Sequence, residues 1–176
     1  MADMLVHLKD LPSVDEEERA LRKDGFIIRN IQPWERFLLE KFAAQHFSQN
    51  WADEVMMAFS HQPVTCWIAT WASPRAIVGM AAYECTRRNF FGPMGVREDV
   101  RGMGIGKVLL IRGLEGLRSL GYEYAIIGGV GPVSFYEKLV GASIIPGSDP
   151  GIYTDLLPRV GQETEEAENE SSPEDE

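Results

Sequence analysis

The sequence has no long hydrophobic segment. None of its apolar runs reaches the roughly 18 residues that indicate a membrane-spanning helix. The first five residues, Met-Ala-Asp-Met-Leu, lack the basic start and the apolar stretch of a secretory signal peptide. We therefore expect no membrane partner and a cytoplasmic location.

Cysteine is scarce as well, with two residues in a chain of 176. Cys66 and Cys85 both fall in segments that we predict to be strands, which favours small buried hydrophobic side chains over a disulfide framework. This usage is typical of a reducing compartment. We also expect no metal site.

The chain has no excess of basic residues, which argues against nucleic acid as a partner. Its net charge is −10, but residues 161–176 carry eight acids and no base. Without them, 17 basic and 19 acidic residues remain, a net charge of −2. Because a segment of this composition has little apolar surface to bury, we expect residues 159–176 to form a disordered acidic tail. The tail is either an interaction arm or a solvated extension.

What the sequence does contain is a glycine-rich turn at residues 101–107, Arg-Gly-Met-Gly-Ile-Gly-Lys. It lies between an extended apolar segment, residues 90–96, and a segment of helical periodicity, residues 108–120. The unpaired N–H groups at a helix start lie at the positive end of the helix dipole and bind phosphate groups well. The turn therefore favours a phosphate or pyrophosphate ligand, although a glycine-rich helix start without a ligand has the same pattern.

The spacing of the glycines excludes two common phosphate loops. The dinucleotide fingerprint G-x-G-x-x-G would need a glycine where Lys107 stands. The P-loop G-x-x-x-x-G-K-[ST] would need a glycine at Arg101 and a hydroxyl residue at Val108. The pattern that fits is R-x-x-G-x-G, with Arg101, Gly104 and Gly106 as its fixed members.

This turn resembles the acetyl-CoA pyrophosphate loop of the GCN5-related N-acetyltransferase (GNAT) superfamily. A second segment, residues 135–142, Phe-Tyr-Glu-Lys-Leu-Val-Gly-Ala, resembles the F-Y-E-K-L-G-F motif that ends the GNAT core. The distance from Arg101 to Tyr136 is also similar to that in the family. The resemblance extends over residues 25–157, nearly all of the sequence outside the N-terminus and the acidic tail.

Periodicity and turn residues predict a surface helix at residues 14–23, which starts with a capping-box pattern at Ser13, and then the order β-α-α-β-β-β-α-β-α-β. This order implies an α/β (α+β) fold, the GNAT fold, with a mixed central sheet and helices on both faces. The last strands, near residues 144–153, are interrupted by prolines and glycine. We expect an N-terminal arm with a short helix at 1–24, an N-acetyltransferase domain at 25–158 and the tail at 159–176.

The resemblance implies an acyltransferase that moves an acetyl group from acetyl-CoA to a primary amine, which attacks the thioester directly. The reaction needs a neutral amine, a polarised thioester carbonyl and a proton for the leaving thiolate. By the same resemblance, the main chain of the predicted strand that ends at Val96 pairs with the pantetheine arm, and the amides of the turn at residues 101–107 hold the pyrophosphate. The implied cofactor-binding residues are Met94, Gly95, Val96, Arg101, Gly102, Met103, Gly104, Ile105, Gly106 and Lys107.

Two residues are candidates for proton transfer. The resemblance implies that Tyr136 protonates the thiolate, because a phenol with a pKa near ~10 keeps its proton at neutral pH; the alternative is a tyrosine that only packs on the sheet. Glu84 lies in a predicted central strand and is our candidate general base, unless it faces solvent at the end of that strand. Asp53, Glu54 and His61 fall in the helix pair that lines the acceptor site in the family, and we expect them at the surface.

The chain departs from the family pattern near the second motif. Gly129 and Pro132 stand where many members carry asparagine and alanine, which puts the cofactor contact of that asparagine in doubt. Val140 adds one residue to the motif, so the end of the helix must take a different route.

Three functions are compatible with these residues: acetylation of a small-molecule amine, transfer of a longer acyl group, and binding of acetyl-CoA by a regulatory or interaction module without turnover. The acceptor region has several tryptophans and few carboxylates, so it offers no acidic surface for a polycationic substrate. The sequence leaves the acceptor and the oligomeric state open, a homodimer included.

Overall fold

The structure is a computed structural model that describes residues 1–152 and residue 157. The helices of this part are α1 (Asp15–Lys23), α2 (Arg36–His46), α3 (Gln49–Val55), α4 (Ile105–Ser119) and α5 (Val133–Val140). Its strands are β1 (Met4–His7), β2 (Phe26–Asn30), β3 (Cys66–Ala72), β4 (Arg75–Tyr83), β5 (Phe90–Val96), β6 (Tyr124–Ile127) and β7 (Ser143–Ile144). Short 3-10 helices cover Pro33–Glu35, Met56–Ser60 and Glu98–Val100.

The strands form one mixed sheet in the order β2-β3-β4-β5-β6-β1-β7. All neighbours are antiparallel except β5 and β6, which are parallel. Alternate residues of β4 pack on opposite sides, Ala81 and Tyr83 in the core around α4, Met80 and Ala82 in the core around α2 and α3. The predicted fold class, a mixed sheet with helices on both faces, is therefore confirmed.

The sheet is split between β5 and β6. These strands pair only at Phe90 with Ile126 and at Phe91 with Ile127. Strand β6 then ends, whereas β5 continues to Val96 and remains paired with β4 on its other side. The edge of residues 92–96 that faces away from β4 is thus left without a partner strand among the described residues, and a groove opens there.

Helix α4 packs against the sheet through two of its three glycines, Gly113 and Gly116. A Cβ atom at Gly113 would lie 2.5 Å from Cε2 of Phe91, and one at Gly116 would lie 2.4 Å from Cζ of Tyr83. The two aromatic rings therefore occupy the space of the missing side chains. This close approach brings the start of α4 next to the end of β5.

We expect Gly116→Ala to destabilise the fold by about 1–3 kcal/mol, because the methyl group overlaps the buried Tyr83 ring. Helix propensity alone predicts the opposite sign, a gain of about 1 kcal/mol. Urea unfolding checks the result. Gly106→Ala in the same helix is the control: its methyl group would have no neighbour nearer than 3.7 Å, so it should be neutral or slightly stabilising. A Gly116→Ala variant as stable as this control contradicts the packing described here.

The N-terminus differs from the prediction of an arm outside the domain. Met4–His7 form β1, which pairs along its whole length with β6 and, at two residues, with β7. Met4 and Val6 are fully buried. Helix α1 is present at Asp15–Lys23, but the capping box is wrong, because Val14 is the N-cap residue and the Ser13 hydroxyl accepts a hydrogen bond from the N–H of Asp15.

The two cysteines are buried and form no disulfide. Cys66 begins β3 as predicted, whereas Cys85 lies beyond the end of β4, so its predicted place in a strand is wrong. Burial raises the pKa of both thiols, that of Cys85 to about 12. Both side chains therefore stay protonated at neutral pH and pack as small hydrophobic groups.

The C-terminal end is described only in part. Ser143–Ile144 form β7, a strand of two residues, and residues 151–152 form a turn. The acidic tail predicted at residues 159–176 lies outside the described residues. Among the described helices, none combines the length and the apolar character that crossing a bilayer requires.

Candidate functional site

A groove of about 740 Å³ runs along the unpaired edge of β5 and across the start of α4. We call it the long groove; its walls come from β5, from the 101–107 turn and from α5. It collects every residue that the sequence predicts for cofactor binding except Met103, whose side chain is half exposed outside it. The lining residues from that set are Met94, Gly95, Val96, Arg101, Gly102, Gly104, Ile105, Gly106 and Lys107.

The turn before α4 has the backbone geometry of an anion site. Gly102 and Gly104 have φ values of +82° and +91°, and a Cβ atom on either would meet nothing within 4 Å. These glycines therefore serve the backbone conformation and leave open space above it. The first intrahelical hydrogen bond runs from Val108 N–H to the carbonyl of Gly104, so the N–H groups before it are free for a ligand.

The two cations beside the turn are held differently. Arg101 donates a hydrogen bond from Nε to the carbonyl oxygen of Val96, at 3.0 Å, which fixes its guanidinium at the end of β5. Lys107 forms an ion pair with Glu17 on α1. The hydrogen bond from Lys107 lowers the pKa of the Glu17 carboxyl below its usual range. Only part of the Lys107 charge is thus available to a ligand in the groove.

Strand β5 presents main-chain groups to the long groove. Met94 and Val96 pair with Ala81 and Gly79 of β4 on one edge, and the opposite edge faces the groove. Gly95 is needed for packing, because a Cβ atom there would lie 2.3 Å from Cζ of Phe47. The Phe47 ring stacks on Trp51 with centroids 5.0 Å apart, and both rings line the groove.

A second cavity of about 410 Å³, the side cavity, adjoins the long groove. Both are lined by Trp51, Met94, Pro132 and Tyr136, so the two spaces meet at these side chains. The rest of the side cavity is lined by α3, by the residues around the β5–β6 split and by the loop that follows β6. The arrangement has room for a long molecule in the groove and a small one beside its end.

Tyr136 is placed at this junction by α5. Its ring is 7% exposed and meets Phe135 edge to face at a centroid distance of 5.1 Å. Burial raises the pKa of its hydroxyl to about 12. No described residue forms a hydrogen bond with that hydroxyl, so the phenol is a protonated donor that is free for a bound molecule.

Glu84 does not reach either cavity. The strand predicted to contain it ends at Tyr83, and Glu84 follows in a left-handed conformation with φ +62°. Its carboxylate accepts hydrogen bonds from the N–H of Asn89, at 2.5 Å, and from the hydroxyl of Tyr122, at 3.4 Å. The carboxylate thus closes the turn between β4 and β5, and its predicted position in a strand is wrong.

The three acceptor-region candidates differ in position. Asp53 is exposed and accepts a hydrogen bond from Gln49. His61 lies against the carbonyl of Glu84, outside both cavities. Glu54 lines the side cavity and is half-buried, so its predicted surface position is wrong. The sequence held one signal for this position: Glu54 follows Trp51 by one helical turn, so the two side chains lie on the same face of α3.

The two departures from the family pattern have structural counterparts. The N–H of Gly129 donates to the Asp3 carboxylate and that of Val130 to the Ala2 carbonyl, both at 2.9 Å, so the N-terminal segment holds this loop. The extra residue, Val140, is absorbed into α5, which then ends at Gly141 in a left-handed conformation.

The described residues include no group of three or more His, Cys, Asp or Glu side chains that could hold a metal ion.

Comparison with known families gives a match over most of the described chain. The model of the acetyltransferase (GNAT) family matches residues 28–142, well over half of the chain. Comparison with curated proteins finds no match.

Solved structures of similar fold include three acetyltransferases. The GCN5-related glucosamine N-acetyltransferase region of a fungal multi-domain GH3 β-N-acetylglucosaminidase is 15% identical, with a TM-score of 0.65, over 82% of this chain and 19% of that one. The GCN5-related N-acetyltransferase from Sphaerobacter thermophilus is 18% identical, with a TM-score of 0.64, and the match covers 82% of this chain and 48% of that one. A GNAT family acetyltransferase from Brucella melitensis, in complex with acetyl-CoA, is 18% identical, with a TM-score of 0.52, and the match covers 68% of this chain and 86% of that one.

These similarities concern the fold. The present chain spans about a fifth and about half of the first two structures. At such identities, the residues of the site have to be argued from this chain itself.

Proposed function

The chain belongs to the acetyltransferase (GNAT) family, and from this premise we propose that it is an acetyl-CoA-dependent N-acetyltransferase that acts on a primary amine of a small molecule. The observation that carries the proposal is the junction of the long groove and the side cavity at Tyr136. A donor in the groove and an acceptor in the cavity would meet beside a protonated phenol.

The long groove fits a pantetheine pyrophosphate. The pyrophosphate would rest on the N–H groups that follow Gly104, in the open space above the turn, with Arg101 beside it. The pantetheine arm, which carries amides, would pair with the free edge of β5 at Met94 and Val96. The walls formed by Phe47, Trp51 and Leu139 are apolar and would pack against the arm.

Bound acetyl-CoA supplies an activated acetyl group as a thioester. The neutral amine attacks the thioester carbon, the C–N bond forms and the C–S bond breaks. The attacking nitrogen releases one proton, which reprotonates Tyr136 after the Tyr136 hydroxyl has given its own proton to the leaving thiolate. Tyr136 holds that proton at its hydroxyl oxygen, because burial keeps the pKa of the phenol near 12. Glu84 has no part in this proposal, since its carboxylate is bonded in a turn away from both cavities.

The size of the side cavity supports a small acceptor. Its volume of about 410 Å³ suits a small molecule better than a folded protein surface. Its lining is mainly apolar, and among the residues that the structure describes Glu54 is the one acidic side chain in it. These features favour an amine with an apolar body over a polycation.

A screen of small primary amines tests the proposal. The protein is incubated with acetyl-CoA and each amine, free thiol is followed over time, and N-acetylated product is identified by mass spectrometry. We expect thiol release that depends on both the amine and the enzyme, with one acetylated product per thiol. Tight acetyl-CoA binding without product from any amine would instead favour a non-catalytic module. A longer acyl-CoA that outperforms acetyl-CoA would correct the donor.

A further inference from the structure

We propose that the N-terminal segment at residues 2–5, which we call the clasp, holds both ends of α5 and that Asp3 within it is a positioning residue for Tyr136. The inference rests on the proposed function, because it serves the proton-donor role that we propose for Tyr136. It also goes beyond the family match, which begins at residue 28 and leaves the clasp outside.

The burial of Asp3 carries the first step of the argument. Among the described residues, Asp3 is the one Asp, Glu, Lys or Arg that is buried, with 6% of its surface exposed. A carboxyl group in such a place is costly unless hydrogen bonds compensate for the lost water. The bonds that Asp3 makes therefore show which part of the fold it serves.

The side chain of Asp3 holds the segment that leads into α5. Its Oδ1 atom accepts a hydrogen bond from the N–H of Gly129, at 2.9 Å. Next to it, the carbonyl oxygen of Ala2 accepts one from the N–H of Val130, also at 2.9 Å. The loop at residues 128–132 lines the side cavity and continues directly into α5. Two consecutive backbone groups of this loop are thus bonded to the clasp.

The main chain of the clasp holds the segment that leaves α5. The carbonyl oxygen of Asp3 accepts a hydrogen bond from the N–H of Ile145, and its N–H donates to the Ser148 hydroxyl, both at 2.9 Å. Met4 and Leu5 pair with the two residues of β7. Asp3 therefore joins the chain before α5 to the chain after it.

The helix between these two anchors carries Tyr136. Helix α5 has only eight residues, and Tyr136 is the fourth of them, so the anchored ends determine where its ring lies. The hydroxyl must reach the leaving sulfur at the junction of the long groove and the side cavity. A shift of about 1 Å in such a group costs up to about 100-fold in rate. The clasp thus serves the position of Tyr136 as well as the stability of the fold.

Asp3→Leu tests the clasp, because leucine is similar in size and cannot accept the hydrogen bond from Gly129. We expect kcat to fall about 10- to 100-fold, whereas acetyl-CoA affinity in calorimetry stays near that of the wild type. Asp3→Asn keeps an acceptor oxygen and should recover most of the loss. An Asp3→Leu variant with full kcat overturns the proposal.

Fluorine NMR reports the position of Tyr136 without turnover. The protein is labelled with 3-fluorotyrosine at its five tyrosines, and the resonance of Tyr136 is assigned by its loss in Tyr136→Phe. We expect this resonance to shift or broaden in Asp3→Leu and to return towards the wild-type position in Asp3→Asn. An unchanged resonance in Asp3→Leu overturns the proposal.

Val6→Ala is the control for lost stability. Val6 lies in β1 just beyond the clasp and is fully buried, so its truncation destabilises the fold without removing a hydrogen bond of Asp3. It should lower the melting temperature and keep both kcat and the Tyr136 resonance. If Val6→Ala loses as much kcat as Asp3→Leu, Asp3 has only a structural role and the proposal is overturned.

Two further outcomes keep the inference separate from the proposed function. If the wild-type protein acetylates no amine, the proposed function is contradicted, and the Tyr136 resonance alone decides on the clasp. If Asp3→Leu does not fold, hydrogen exchange in the wild-type protein decides: protected N–H groups at Gly129 and Val130 support the clasp, and exchange at the rate of an unfolded chain overturns it.

Discussion

Tyr136→Phe is expected to lower kcat about 100-fold and to leave the affinity for acetyl-CoA near that of the wild type. Phenylalanine keeps the ring that packs beside Phe135 and removes only the hydroxyl. A positioned general acid contributes about 100- to 10,000-fold to the rate. We expect the lower end, about 2.7 kcal/mol of activation free energy, because a thiolate leaves fairly well without assistance.

Steady-state kinetics on an amine that the wild-type protein acetylates, with calorimetry for acetyl-CoA, measures both quantities. Tyr122→Phe is the matched control, because its hydroxyl contacts the Glu84 carboxylate outside both cavities. It should retain wild-type kcat. Full kcat in Tyr136→Phe would assign the proton to water or to another residue. A loss of acetyl-CoA affinity equal to the loss of kcat would give Tyr136 a binding role instead.

The parts of this fold that are determined by residues adjacent in the sequence could be predicted from it. The turn at residues 101–107 needs glycines for its backbone and starts a helix, and both properties are local. Helix α5 was expected from the resemblance of residues 135–142 to the F-Y-E-K-L-G-F motif of the family. The order of strands and helices followed from such elements together with the family resemblance.

The parts that depend on distant contacts were missed. Strand β1 has only four residues, and its partner β6 begins more than a hundred positions later. In the sequence, Met4-Leu5-Val6 is a short apolar run, and so short a run indicates a strand only when its partner is known.

The positions of Glu84 and Glu54 could not be predicted for the same reason. Glu84 looked like part of a strand because apolar residues precede it, but the turn that it closes with Asn89 requires the strand to end before it. Glu54 looked like a surface residue of a helix, and only the packing of α3 beside the β5–β6 split brings it to a cavity. Which face of a short helix is buried depends on what packs against it.

Gly104→Val is expected to weaken acetyl-CoA binding about 100-fold, or about 2.7 kcal/mol. The side chain would occupy the open space above the turn, where the pyrophosphate approaches. Because φ at Gly104 is +91°, the substitution also strains the backbone. Any loss of affinity must therefore be separated from a loss of stability.

Gly121→Val supplies that separation. Gly121 lies just beyond the other end of α4 with φ +95°, and a Cβ atom there would meet nothing within 4 Å. It lines neither cavity. The two variants should lose similar stability in urea unfolding, whereas only Gly104→Val should lose acetyl-CoA affinity. Equal affinities in the two variants would contradict the role of the turn.

The central claim is that the long groove binds acetyl-CoA, and calorimetric titration of acetyl-CoA into the wild-type protein and the two glycine variants tests it most directly. We predict one site per chain with micromolar affinity, about −8 kcal/mol, in the wild-type protein and in Gly121→Val, and about 100-fold weaker binding in Gly104→Val. Absence of binding to the wild-type protein, or wild-type affinity in a folded Gly104→Val variant, would contradict the account.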